Sequence, residues 1–205
     1  MAGTFNSIVE IWNLALGRVG HKDVKLPTEI STEADLLRKV WPVARDASFE
    51  LYDWGFSRRY LPLGVRLDGE ETDGWAFAFQ YPAGEVMSVR RVTRVGVGDE
   101  VAPIPFSPSV SSGGGDMILL NEDGDDLRVV CSVRVIDPAR YSAAFISSIA
   151  YTLASEIVAV LSKNPRREQM AIQLGVRAGA IASAASATQE RARKQRKPAG
   201  IAARA

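Results

Sequence analysis

The apolar period of the chain changes twice: it is helical near the start, two through the middle, and helical again after Asp137-Pro138. Over residues 7–16, Ile8, Ile11, Trp12 and Ala15 share one helical face, and Gly17 and Gly20 sit where that helix can stop. Ser31 and Thr32 are hydroxyl residues suited to capping a second helix, with Asp35 three after Thr32 in a capping-box relation. The second helix's face runs through Leu37, Trp41, Ala44, Ala47 and Leu51. Pro42 removes a backbone donor, which predicts one kinked helix or two abutting ones. Trp75, Phe77, Phe79 and Tyr81 then alternate with smaller or polar residues, predicting a strand with one aromatic face. Segments 86–97 and 127–136 are rich in β-branched residues, and 117–120 is expected to form a hairpin with the latter through the acidic turn 121–126. The Ser-Ser-Gly-Gly-Gly run at 111–115 reads as a loop tip at the sheet's edge.

Phe145, Ile149, Leu153, Ile157 and Val160 form one stripe of a third helix that ends before Asn164-Pro165. A fourth helix over 166–194 carries Met170, Leu174, Ala178, Ile181 and Ala185 and should reach roughly 40 Å. The short connection makes the last two helices an antiparallel pair. The pattern predicts an α+β protein: a bundle of about four helices, one of them long and C-terminal, with a small antiparallel β module inserted. The helical part takes 1–60 and 138–190, the β module 61–137, and a basic, mobile tail 191–205.

Composition narrows the function. With 205 residues, 46% hydrophobic and 24% charged, the chain can bury a core and carry an appendage. Lys plus Arg number 25 against 24 Asp plus Glu, so a net charge of +1 provides no global attraction to nucleic acid, and an electrostatic partner must meet a local patch. Cys131 is the one cysteine and lies in an apolar run, which excludes an internal disulfide and fits a reducing compartment. The start has no basic n-region, and no uncharged apolar run approaches the ~20 residues a membrane span needs. The chain therefore reads as soluble and unprocessed, with no membrane partner.

Candidate chemistry is sparse. His21, the only histidine, follows a glycine in a loop and is expected to be an ordinary surface residue. One Cys and one His cannot supply a zinc site, the acidic turn 122–126 lacks EF-hand spacing, and the Gly-rich segments lack the lysine and hydroxyl of a phosphate loop. No catalytic, cofactor or metal residue is assigned. Trp12, Trp41, Trp54, Phe56 and Trp75 are read as structural anchors. Five of the seven residues 191–197 are basic (Arg191, Arg193, Lys194, Arg196 and Lys197). They are either a solvated end or a contact with protein or DNA. Arg58 and Arg59, with Arg90, Arg91 and Arg94, are either ordinary sheet-surface residues or bidentate anion contacts. Glu156 stands in an apolar stretch of the third helix, where a carboxylate calls for an arginine from a neighbouring element or subunit.

In order, residues 11–20 (IWNLALGRVG), 31–34, Arg45-Asp46, Trp54-Gly55-Phe56 with Arg58-Arg59, then 74–79 with Tyr81-Pro82-Ala83, and Phe145 with 153–157, resemble the tail tubular protein A or head-to-tail adaptor family of short-tailed bacteriophages. The resemblance spans residues 5–163. It implies a non-enzymatic virion protein, assembled in the host cytoplasm, forming a twelve-fold ring under the portal. Such a ring closes the DNA-filled head and provides the platform for a downstream nozzle or tail-tube protein. On that reading Arg191, Arg193, Lys194, Arg196 and Lys197 meet the portal or the DNA channel, and Arg58, Arg59 and Glu156 serve subunit contacts. The competing class is a DNA-binding module using the basic tail and Arg90, Arg91 and Arg94; an enzyme would need a constellation these residues do not supply.

Overall fold

The computed structural model describes residues 7–96, 103–161 and 165–194. It has four α-helices and two small three-stranded antiparallel sheets, a mixed α+β protein. Among the described residues no helix is long and apolar enough to cross a membrane. The chain divides into two compact units, one drawn from Met1–Ser57 and Arg134–Gln189, the other built on Arg58–Val133.

In the helical unit, α1 (Ile8–Val19) starts at Ser7, whose hydroxyl accepts from the Glu10 amide, and ends at Gly20 in the left-handed region at φ 74°. Helix α2 (Thr32–Leu51) is capped by Ser31, which accepts from the Ala34 amide. The expected capping box is not formed: with Ser31 as the cap its third helical position is Ala34, which has no side-chain acceptor, and Asp35, one residue further on, pairs with Arg38. The helix runs through Pro42 as one element. Helix α3 (Ala143–Leu161) follows a 3-10 turn at Pro138–Arg140 and lies against both α1 and α2. Phe145, Ile149, Leu153 and Ile157 are fully buried, whereas Val160, expected on the same stripe, is 65% exposed at the helix's end.

The core between α2 and α3 is aromatic. Phe49, Trp54, Phe56 and Tyr141 all ring Phe145, with centroids 4.8–5.2 Å from it and tilts of 30–83°. Trp54 Nε1 donates to the Ser48 carbonyl at 2.8 Å, and Tyr141 Oη to the Val135 carbonyl at 2.8 Å, so each buried polar tip has a partner. Trp12 and Trp41 meet edge to face at 6.4 Å on α1 and α2. Trp12 and Trp54 are buried, Trp41 nearly so, and Phe56 is half-buried.

Helix α4 (Pro165–Lys194) packs antiparallel to α3. Ser148 Oγ donates to the Ala178 carbonyl at 3.1 Å, and a Cβ placed on Gly175 would lie 3.9 Å from Ser155 Oγ. Tyr52 Oη donates to the neighbouring Gly179 carbonyl at 3.3 Å. Ala178 and Ala182 are buried; Met170, Leu174, Ile181 and Ala185 are half-buried. The helix continues to Lys194, so Arg191, Arg193 and Lys194 stand on its last turns rather than in a tail; residues 195–205, the remainder of the expected mobile tail, lie outside the described residues.

In the second unit, β1 (Arg58–Pro62), β6 (Leu127–Val133) and β3 (Val86–Arg94) form one sheet in the order β1-β6-β3. The other sheet is β2 (Phe77–Gln80), β5 (Asp116–Leu120) and β4 (Phe106–Val110) in the order β2-β5-β4. Single bridges, Val92 to Ile104 and Arg66 to Phe79, link the sheets at both edges, so the six strands follow one another around a common core. That core is Phe79, Val92, Ile104, Ile118, Leu120, Leu127 and Val129, each burial being worth roughly 1.5–3 kcal/mol.

The hairpin expected between 117–120 and 127–136 is not formed. β5 pairs with β2 and β4, β6 pairs with β1 and β3, and the acidic turn carries the chain from one sheet to the other. The hairpin is β4–β5, joined through the Gly-rich segment; β4 was hidden by Pro108, a residue tolerated in a strand at the edge of its sheet. The aromatic strand is shorter than its alternation suggests and buried on both faces. Phe79 enters the main core while Ala78 packs with Met117, Leu119 and the half-buried Trp75. β3 is bulged between Val89 and Arg91, and Tyr81 Oη accepts the Val89 amide at 3.0 Å.

Gly64 lies where the first strand leaves β6 and turns onto β2. A Cβ there would lie 2.1 Å from the Gln80 carbonyl oxygen, so only glycine fits. Replacing Gly64 by Ala should destabilise the β unit by about 1–3 kcal/mol, read as a lower urea midpoint. Trp54→Ala should cost the helical unit about 3–5 kcal/mol in the same measurement, because it leaves a cavity beside the rings of Tyr52, Phe56 and Phe145.

Candidate assembly surfaces

The residues singled out for contact fall into separate groups. Arg58 and Arg59 open β1, opposite Ser132 and Cys131 of β6, and both are half-buried. The Arg59 carbonyl lies 3.7 Å from the Cys131 sulfur, and burial pushes that thiol's pKa up, keeping it protonated and unreactive. Arg128 lies over the Tyr60 ring at 4.7 Å on the same sheet. Glu156 is exposed on α3, so burial does not force a partner on it, contrary to the expectation from its apolar neighbours.

Arg90 and Arg94 engage different partners. Arg90 Nε donates to Ser132 Oγ at 2.9 Å. Arg94 is clamped by the acidic turn, 2.6 Å from Glu122 and 2.7 Å from Asp126, and both carboxylates raise its pKa further. Arg66 reaches Asp123 at 2.9 Å and Asp68 at 3.0 Å while stacking on Phe77 at 4.6 Å. The turn expected to be merely solvated is thus an arginine-matched corner, and one member of the proposed DNA-binding trio already has its charge neutralised. Among the described residues no group of His, Cys, Asp and Glu is placed to hold a metal ion. His21, expected free at the surface, is half-buried with Nδ1 3.3 Å from Glu33.

Two features escaped the sequence. The first is the Asp46 knot: Arg45 Nε at 2.8 Å and Arg134 Nη2 at 2.9 Å both reach its carboxylate, tying α2 to the residue at which the chain returns from the β unit. Burial raises the Asp46 pKa, but hydrogen bonds and charge from Arg45 and Arg134 outweigh it and hold the carboxyl below its ordinary value. The signal was present as the adjacent Arg45-Asp46 pair, but its partner lies 88 positions downstream. The second is the pair of arginines on Tyr151: the Arg18 guanidinium sits 3.9 Å and that of Arg177 5.6 Å from its ring centroid.

Helix α4 is unusual in its exposed face. From Gln169 to Gln189 its only charged residue is Arg177, and Ile172 and Val176 are 66% and 69% exposed. A solvated helix face normally carries charge throughout; a long uncharged one with aliphatic side chains is suited to cover by another protein surface. Arg191, Arg193 and Lys194 follow at its end, and Arg196 and Lys197 lie outside the described residues. No protein-family model matches the chain, and no curated protein matches it.

Because the folded Asp46 carboxyl is held below its ordinary value, it adds stability above that value and loses the contribution as pH falls through the folded one. Asp46→Asn should cost about 1–2 kcal/mol near neutrality, and the gap from wild type should shrink in urea unfolding as pH falls from about 5 through the lowered folded value.

Proposed function

We propose that the protein is a structural component of a phage virion, a head-to-tail adaptor that closes into a ring under the portal and carries the tail below. On this reading its helices form a bundle, and the β unit is a separate compact module. The observation that carries this reading is α4: a helix of 30 residues, held along one face by Ala178, Gly179 and Ala182 and bare of charge along most of the other. The ordered resemblance of residues 5–163 to the adaptor family supports the same assignment. A ring needs distinct surfaces meeting head to tail, and a chain with two independently cored units supplies them. The portal protein, a downstream tail protein and packaged DNA in the channel are the partners on this reading. The basic residues from Arg191 to Lys197 are directed to portal or DNA, and twelve-fold closure is what the resemblance implies. The location that follows is the head-tail junction of the virion.

Native mass spectrometry and negative-stain imaging, with and without the portal protein, test the assignment. Rings, alone or on portal, are expected, together with weak binding of free duplex. Persistent monomers in both conditions would refute it, and duplex affinity falling steeply with salt would favour a DNA-binding module instead.

A further inference from the structure

We infer that the helical unit presents two opposite, charge-complementary flanks, and that Arg18 and Arg177 of one copy receive the Glu156 carboxylate of the next. This rests on the ring reading above and names the contact that closes it. Stacking on Tyr151 uses the faces of the two guanidinium groups and leaves their in-plane N–H donors available. Arg18 directs one donor to the Leu14 carbonyl at 3.3 Å. Among the described residues neither arginine has a carboxylate partner, and Glu156 has no cationic one. Two cations held against one ring, with donors to spare and no counter-ion among the described residues, form a receptor for a carboxylate.

Helix geometry separates the two charges. The seam between α3 and α4 is marked by Ser148 on Ala178 and Ser155 beside Gly175. Around α3, Tyr151 and Glu156 stand about 140° apart with the Ser155 direction between them, so they emerge on opposite flanks of the seam. Around α4, Arg177 and Ile172 likewise fall on opposite flanks of Ala178 and Ala182. Arg177 reaches Tyr151, so the other flank gathers Glu156, Val160, Ile172 and Val176, the three aliphatics being 65–69% exposed. A lone carboxylate within an aliphatic surface costs least to desolvate when a bidentate cation meets it.

The separation decides the symmetry. A two-fold contact matches a flank with itself, which here would set cation against cation or carboxylate against carboxylate. Only a head-to-tail contact joins the two, and that is the contact from which rings are built. The occupant is therefore a second copy of this chain.

Charge reversal tests the pairing in the full chain, by sedimentation velocity over a range of concentrations with and without portal. R177E and E156R should each weaken self-association by roughly tenfold or more, and the double variant R177E/E156R should recover to within a few-fold of wild type. Thermal melts matching wild type verify folding, with R177Q and E156Q replacing any reversal that fails to fold. Wild-type rings that tolerate both single changes overturn this pairing and leave the ring reading standing. Monomers throughout, wild type with portal included, overturn both. A loss of duplex binding in R177E without change in self-association also overturns it, assigning the arginines to a nucleic-acid phosphate.

Discussion

The helical unit depends on a knot of aromatic rings drawn from two distant parts of the chain. Phe49, Trp54 and Phe56 come from the end of α2 and the residues after it, and Tyr141 and Phe145 from the start of α3. Between them the chain leaves to build all six strands. Bringing the two arms together costs loop-closure entropy, which rises only slowly with the length inserted, and edge-to-face rings contribute about 0.5–1.5 kcal/mol each beyond their buried area. Asp46 with Arg134, and Tyr141 with the Val135 carbonyl, reinforce the closure with polar contacts at the return of the chain. A large β unit can therefore interrupt a helical core without dividing it.

With that core complete, α4 is attached by a narrow contact. Glycine and alanine let its backbone come close enough for Ser148 and Tyr52 to donate to consecutive carbonyls, at 178 and 179. Close approach through small residues gives a firm seam but covers little of a helix's circumference. The remaining face leaves Ile172 and Val176 exposed, and its low charge density keeps the desolvation cost of covering it small.

The β unit solves a different problem. A six-strand ring needs corners, and Gly64, the bulge in β3 and the acidic turn each make one. At the last, Arg94 and Arg66 offset carboxylates that would otherwise repel one another where the chain changes sheets. Arg94, read as part of a basic patch, and the turn read as solvated thus belong to one structural element, which is why neither was interpretable alone.

Local chemistry determined much by itself. The Ser31 cap, the Gly20 stop, the stripe from Phe145 to Ile157 and the long last helix follow from spacing and capping, which act within a few residues and so remain visible in sequence. Strand partnership was not: the alternation of β5 and β6 is compatible with a hairpin, and only packing of both sheets around Phe79 and Ile118 sends them to different partners. The exposure of Glu156 and Val160 and the meeting of Arg18 with Arg177 also belong to the tertiary structure. They depend on which side of a helix a neighbour covers, and that is set by contacts between residues far apart in the chain.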